Sequence, residues 1–250
     1  MEELSRLFFL FGIGSIAGFI NIMAGGGSTI TLPTLIFLGL DSSLANGTNR
    51  VAILIQNISG IVSFRQENYH QFTISLKLAL FTLPGAIAGS IVATTISDTL
   101  FQEILAYVLI GIIISLLLPR PNNKKCADKK QYQKNWLIYP AMILVGFYGG
   151  FIQAGVGFLL MASLYHLMKV DLVRVNMHKI FIVGIYTIPA LVIFLLTRNV
   201  DFNFGLTLAA GNALGAWWSA KVSVKKGQRV IQFILIGAIL MMSLKLLDII

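Results

Sequence analysis

The chain has 250 residues, of which 56% are hydrophobic and only 12% charged. Ordinary globular chains carry about 25% charged residues, so a soluble domain of this length is excluded. The formal net charge of +9 does not indicate a nucleic-acid partner, because the basic residues lie in short loops between apolar runs, the pattern of cytoplasmic loops in a membrane protein.

Crossing the hydrocarbon core as a helix takes about 20 apolar residues. The first such run covers about 5–24. It is preceded by Met1-Glu2-Glu3-Leu4-Ser5-Arg6, which lacks the basic region of a secretory signal, so it reads as mature protein. The run is interrupted at Ala24-Gly25-Gly26-Gly27-Ser28-Thr29, and a short apolar piece over 28–40 follows. Asn46, Thr48, Asn49 and Arg50 then open a run at 49–64, with further runs at 72–95 and 102–118. The hydrophilic stretch from Pro119 to Asn135 contains Cys126, the only cysteine, which reads as an incidental reduced thiol; no intrachain disulfide can form. The second half begins with a run over 137–154, broken at Ala154-Gly155-Val156-Gly157 and followed by a short piece over 157–168. Asn176, His178 and Lys179 open the run at 180–197, and runs at 203–219 and 230–248 complete the chain. All ten acidic residues lie at a terminus or at the edges of these runs.

The two halves resemble each other. Gly14, Gly18, Phe19, Ile20 and Asn21 match Gly146, Gly150, Phe151, Ile152 and Gln153, 132 residues apart. Gly25, Gly27, Asp41 and Asn46 match Gly155, Gly157, Asp171 and Asn176 at a spacing of 130. Gly85 and Gly89 match Gly211 and Gly215 at 126. An internal duplication accounts for this, dividing the chain into a membrane repeat at 1–118, a cytoplasmic basic linker at 119–136 and a second membrane repeat at 137–250.

The distribution of lysine and arginine chooses between two topologies. If each Gly-broken segment crosses the membrane once, the 19 basic residues divide 11 inside to 8 outside. If each enters and returns, only Arg6, Arg50, Arg198 and Lys245 remain outside, leaving 15 of the 19 inside. The second arrangement gives each half an odd number of crossings, so the halves are inverted relative to each other. The expected fold is therefore an all-α polytopic membrane protein of two inverted-topology repeats, each with a Gly-broken re-entrant segment and three spanning helices. Inverted repeats meeting near mid-membrane are a design of alternating-access transporters.

Unwound backbone at membrane depth must be buried in protein or line a wet cavity. Short helices starting near Ser28 and Phe158 would aim free N–H groups and positive dipole ends into such a cavity, a setting for a small anion. Close helix packing is the competing account, and it is preferred for the pairs Gly14/Gly18, Gly146/Gly150, Gly85/Gly89 and Gly211/Gly215. Asn21 and Gln153 occupy matching places before the breaks. The paired Asn and basic residues near 46–50 and 176–179 suit either an anion or a helix cap. Gln56, Asn57 and Asn212 suit either a transport pathway or helix-to-helix hydrogen bonds. Trp217 and Trp218 fit an interfacial aromatic belt. His70, His166 and His178 are far apart in sequence. No carboxylate proton relay, Walker A motif, metal-spaced Cys/His cluster or Gly-x-Ser-x-Gly elbow is present, so the expectation is a non-enzyme with no cofactor and no metal.

Gly18-Phe19-Ile20, Gly25-Gly26-Gly27-Ser28, Pro33 and Ala45-Asn46-Gly47-Thr48-Asn49-Arg50 resemble the first-half signature of the TauE/SafE sulfite exporter family. Gly150-Phe151-Ile152-Gln153-Ala154-Gly155-Val156-Gly157-Phe158 and Asn176-Met177-His178-Lys179 resemble its second-half counterpart, with Met177-His178 where Gly-Thr or Gly-Ser is frequent. The resemblance covers about 8–240. It implies a multi-pass permease of the inner or plasma membrane for sulfite, thiosulfate, sulfoacetate or related organosulfur anions. The expected substrate site comprises Asn21, Gly25, Gly26, Gly27, Ser28, Thr29, Asn49, Arg50, Gln153, Gly155, Val156, Gly157, Asn176 and Lys179. Expected partners are the small anion and the lipid bilayer, with no nucleic acid; a homo-oligomer is compatible with the sequence. The rival readings are a passive anion channel, a transporter of another small sulfur compound, and a membrane-embedded enzyme or subunit of a complex.

Overall fold

The computed structural model describes the backbone of residues 2–69, 71–117 and 136–246, and side chains over 4–69, 71–111 and 136–225. Residues 119–135 of the expected linker, with Cys126, as well as His70 and the side chains of the last apolar run, lie outside the described residues.

Among the described residues the secondary structure is entirely helical. The elements are α1 (Glu2–Ala24), α2 (Ser28–Phe37), α3 (Ser42–Gln66), α4 (Phe72–Thr95), α5 (Asp98–Leu117), α6 (Ile138–Phe151), α7 (Val156–Met168), α8 (Leu172–Leu196) and α9 (Phe202–Leu246). Three stretches, Leu4–Ala24, Phe72–Thr95 and Leu172–Leu196, are long and apolar enough to cross a membrane by length and composition. The surface suits lipid: Leu144 is 72% and Leu196 79% exposed, while Asn46, Thr48, Arg50 and Gln56 are fully buried. Burying polar groups behind an apolar exterior is favourable only where the surroundings are themselves apolar.

Helices α3 and α8 begin earlier than their apolar runs. Asp171 caps α8, its Oδ1 accepting from Arg174 N at 3.0 Å. At α3 the Asp41 side chain caps nothing; Asp98 of α5 reaches across instead and its Oδ1 accepts from Ser42 N at 2.5 Å. Asn46–Arg50 and Asn176–Lys179 therefore lie inside their helices, and neither group caps the helix it belongs to.

The C-terminal region differs from expectation. Two runs separated by a loop at 220–229 were expected; α9 instead continues without interruption from Phe202 to Leu246. The intervening Ala220-Lys-Val-Ser-Val-Lys-Lys-Gly-Gln-Arg229 has no proline, and one glycine costs a helix only about 1 kcal/mol. At about 1.5 Å per residue, this helix exceeds the roughly 30 Å hydrocarbon core, so only part of it fits within lipid tails. Near residue 221 it acquires polar contacts: the Lys221 ammonium lies 3.5 Å over the Trp217 ring, and Lys225 stands 3.9 Å from Glu67 at the end of α3.

The halves interlock through glycines. Helix α1 packs on α9, and α4 packs on α6. A Cβ at Gly14 or Gly18 would run into the backbone of Leu208 and Asn212, and one at Gly146 or Gly150 into that of Thr82 and Ala86. From the opposite side, Gly211 and Gly215 press on Phe11 and Ser15, while Gly85 and Gly89 press on Ile143 and Phe147. These are the packing roles expected for the four pairs, and each contact recurs in the other half at the spacings of 132 and 126. Between the halves, Asp201 N donates to Thr48 Oγ1 at 2.9 Å.

Candidate functional site

Helix α1 ends at Ala24, where Gly25 turns the chain at φ +86°. Glycine accepts this left-handed conformation without the Cβ penalty of other residues. Gly25 N donates to Asn21 O at 2.9 Å, and α2 starts three residues later with no side-chain cap. In the second half, Gln153 has φ +67° and Gly155 φ +71° between α6 and α7. A left-handed glutamine is strained and persists only when its surroundings hold it. The two breaks touch. A Cβ added to Gly25 would meet the Gly157 backbone, and one added to Gly157 would meet Gly25. Gly26 lies against the Phe158 ring, and Gly27 against Ala17 and Asn21. Ser28 and Thr29 are buried beside them, Thr29 Oγ1 donating to Gly26 O at 2.6 Å. Val156 is buried, its N–H donating to Gln153 O at 3.3 Å.

Each helix that stops at a break leaves carbonyls without intrahelical partners and the negative end of its dipole. A cation from the other half meets each one. Arg50 on α3 donates to Gly149 O at 3.2 Å and Gly150 O at 2.5 Å, both at the end of α6. Its guanidinium also donates to Gln153 Oε1 at 2.8 Å and Asn46 Oδ1 at 3.4 Å, and lies 4.6 Å over the Phe194 ring. Lys179 on α8 donates to Asn21 O and Ile22 O, each at 2.8 Å, at the end of α1. It also donates to Asn176 Oδ1 at 3.0 Å. Neither cation forms an ion pair with a carboxylate among the described residues.

These bonds also settle the orientation of two amides. Arginine and lysine only donate, so the amide atom they contact must be oxygen. The opposite atoms, Gln153 Nε2 and Asn176 Nδ2, are donors, and both are buried without a hydrogen-bond partner. Arg50 Nε and Asn49 Nδ2 are unpartnered as well, Asn49 Oδ1 accepting from Thr31 Oγ1 at 2.8 Å. Asn46 Nδ2, by contrast, donates to Phe151 O at 2.7 Å. Around the breaks the unmatched groups are thus largely donors, beside two cations.

The contacts join Asn21, Asn176 and Lys179 at the first break and Arg50 and Gln153 at the second, with Gly25 against Gly157 between them, while Asn49 contacts Thr31. Asn21 contributes its carbonyl, Gln153 and Asn176 their amides, and the glycines the contact itself. Several participants lack a strong sequence signal. Tyr148 OH donates to Ala154 O and so braces the second break. Tyr186 OH is buried and unpartnered, facing Gly149. Met161 Sδ lies 3.7 Å from Lys179 Nζ, and Ser90 Oγ donates to Gly150 O at 3.1 Å. A mid-span tyrosine three residues before Pro189 was the one available hint. Of the other polar candidates, Asn57 Nδ2 donates to Ile53 O at 2.7 Å within its own helix. Gln56 and Asn212 are buried with both amide atoms unpartnered. His178 Nδ1 pairs with Ser75 Oγ at 2.8 Å, leaving Nε2 without a partner. Among the described residues no group of histidine, cysteine, aspartate and glutamate could hold a metal ion.

Comparison with known proteins agrees with this helical, charge-poor arrangement. A probable membrane transporter protein of Sinorhizobium, ORF9, is 27% identical over 99% of this chain and 95% of its own length. One from Haemophilus influenzae is 25% identical, covering 95% of this chain and 92% of its own length. YfcA of Escherichia coli, also named a probable membrane transporter protein, is 25% identical over 95% of this chain and 88% of its own. No solved structure matches the chain. The family model for the sulfite exporters TauE/SafE matches residues 10–246. The apolar exterior, the polar interior and this match over nearly the whole length lead to one conclusion: the chain is a multi-pass membrane transporter that belongs to the TauE/SafE sulfite exporter family.

Proposed function

We propose that the protein is an alternating-access permease for a small anion, sulfite or a related sulfur-containing oxyanion or organosulfonate, bound where the two breaks meet. The observation that carries this reading is the excess of donors there. Arg50 and Lys179 bring two positive charges with no carboxylate partner among the described residues, and their own bonds turn the Gln153 and Asn176 amide nitrogens away as unmatched donors. A buried donor without an acceptor costs about 1–3 kcal/mol, which an oxyanion accepting from it returns on binding. The designation of the family as sulfite exporters supplies the sulfur chemistry. An interior-negative potential favours anion exit by about 2.3 kcal/mol per charge per 100 mV, so export needs neither ATP nor a carboxylate relay.

The inverted, re-entrant topology belongs to the same proposal. Single crossings by the broken segments would put 41–48 and 198–202 on opposite membrane faces, and likewise 65–71 and 220–230. The bonds Asp201–Thr48 and Lys225–Glu67 support the alternative in which each pair shares a face. Arg50 and Lys179 are buried and so are not loop charges. Leaving out Lys245 as well, since it lies on the continuation of α9, the basic residues divide 14 to 2 in the re-entrant arrangement and 10 to 6 in the other, which leaves the preference unchanged. Half-helices meeting at mid-membrane across such repeats are a setting for substrate binding.

The test is saturable uptake of labelled sulfite or thiosulfate into proteoliposomes. Gln153→Glu and Asn176→Asp keep shape while exchanging a donor for a carboxylate oxygen. A charged hydrogen bond is worth about 1.5–3 kcal/mol, so each should weaken the substrate about ten- to a hundredfold. Anion affinity unchanged in both variants, or no flux of any sulfur oxyanion by the wild type, would overturn the reading. Flux that fails to saturate would favour a channel.

A further inference from the structure

The ends of broken helices in carriers, with their unwound carbonyls, commonly coordinate a coupling sodium ion or proton. Here the corresponding oxygens are already occupied. Lys179 Nζ sits 2.8 Å from Asn21 O, 2.8 Å from Ile22 O and 3.0 Å from Asn176 Oδ1. An ammonium has three N–H donors, so these three neutral oxygens saturate it, and Met161 Sδ closes a further side at 3.7 Å. Lysine and its amide partner come from α8, the carbonyls from α1. The site joins the two halves at the negative end of the α1 dipole, where a cation is favoured. The second half repeats the arrangement with Arg50 set among Gly149 O, Gly150 O, Gln153 Oε1 and Asn46 Oδ1.

We infer that the Lys179 ammonium fills an oxygen-lined site for a monovalent cation, so that the carrier holds its own tethered cations in place of a dissociable coupling ion. The oxygens are all neutral. A carboxylate-rich shell would suit calcium or magnesium, whereas this one matches a single positive charge. While the side chain is in place, no sodium or potassium ion can enter. Removing it returns two helix-end carbonyls and an amide oxygen to any small cation that fits. The inference rests on the carrier reading for its meaning in transport, but the occupancy of the site can be tested without any anion.

The experiment is thermal unfolding of the purified full-length protein and of Lys179→Ala at equal ionic strength in choline, sodium, potassium or ammonium chloride. Wild type should unfold at the same temperature in all four salts. Lys179→Ala should unfold lower in choline, and sodium, potassium or ammonium should restore several degrees saturably. A wild type stabilised saturably by sodium or potassium would overturn the inference, as would a variant equally stable in choline and the three small cations. The wild-type arm needs no variant, so a Lys179→Ala protein that fails to fold leaves the inference exposed. Proteoliposome flux completes the test: unchanged anion flux when sodium and potassium are replaced by choline is expected, and a strict requirement for either refutes the tethered-cation role. Absence of anion flux in every salt would instead sink the anion-carrier reading, with the unfolding result still standing.

Discussion

The contact between the breaks can be tested by separating crowding from backbone strain with three glycine substitutions. At Gly157 an added Cβ meets the Gly25 backbone, while the residue itself has no left-handed φ. Gly157→Ala therefore measures crowding alone, which costs about 1–3 kcal/mol in a packed interior. At Gly39 the reverse holds: φ is +99° and no atom lies within 4 Å of an added Cβ. Gly39→Ala measures left-handed strain alone, about 1–2 kcal/mol. Gly25 has φ +86° and the Gly157 backbone against it, so Gly25→Ala incurs both penalties, about 2–5 kcal/mol. The double variant Gly25→Ala/Gly157→Ala should cost less than the two single losses together, because the first methyl that parts the breaks makes room for the second. Thermal or denaturant unfolding of purified protein reads the order, with proteoliposome flux in parallel. Flux should fall in Gly157→Ala and persist in Gly39→Ala, since only the former wedges the site. Gly157→Ala as stable as wild type, or Gly25→Ala no worse than Gly39→Ala, would refute the contact.

Arg50→Met should lower stability by about 2–4 kcal/mol: it leaves the Gly149 carbonyl and the Gln153 amide oxygen without their donor and the Gly150 carbonyl with Ser90 Oγ alone, offset in part by relief from burying a charge. Arg50→Lys should recover only part of this, because an ammonium cannot reproduce the fork across both carbonyls; equal stability of all three proteins in denaturant would count against the capping role. Asp171→Ala removes the α8 cap and should cost about 1 kcal/mol, its partly exposed pairing with Arg174 adding little, and a loss near zero would show that the cap is dispensable. A single cysteine placed at 67 or at 225 in a Cys126→Ser background should react with an impermeant maleimide from the cytoplasmic face only. Labelling of the two from opposite faces would refute the shared-face topology.

Much of the fold was legible because lipid imposes simple rules. A helix needs about 20 apolar residues to cross, and the runs at 5–24 and 72–95 correspond closely to α1 and α4. Small residues repeated every four positions mark the helix contacts at Gly14/Gly18 and Gly85/Gly89 in the sequence itself. Boundaries were less legible where polar residues are buried. Hydropathy started the third and eighth helices near 49 and 180, yet Ser42–Thr48 and Leu172–Asn176 are helical and largely hidden inside the bundle. A hydropathy window assigns such residues to a loop, since it registers polarity and not the neighbour that satisfies it. The continuous α9 was missed for a related reason: Lys221–Arg229 marks a change of environment, which need not be a change of backbone.

The residues that gather at the breaks stood out in the sequence, but their hydrogen-bond partners did not. From the sequence, Arg50 and Lys179 suited either an anion or a cap on their own helices. In the structure their nearest partners are carbonyl and amide oxygens. The physical reason lies in the breaks themselves. Unwinding two helices inside a bilayer releases carbonyls that neither water nor lipid can satisfy, and each unmet group there costs several kcal/mol. A transporter needs that unwound backbone if it is to present main-chain donors to a substrate. The same break therefore creates a demand for donors at the end of one half-helix and a supply of them at the start of the next. Crossing Arg50 to α6 and Lys179 to α1 meets the demand with residues from the opposite half, tying each break to the helix that packs against it. Any movement that opens one break must then carry the other half's cation with it or strand a charge among apolar side chains. Coupled motion of the two halves follows from that constraint: Arg50→Met should loosen it, detectable as faster exchange of the buried α6 amides with α1 little changed, whereas Lys179→Ala should give the opposite pattern. Equal exchange in both helices, whichever cation is removed, would show that the two caps act on the bundle as a whole and not on the breaks they touch.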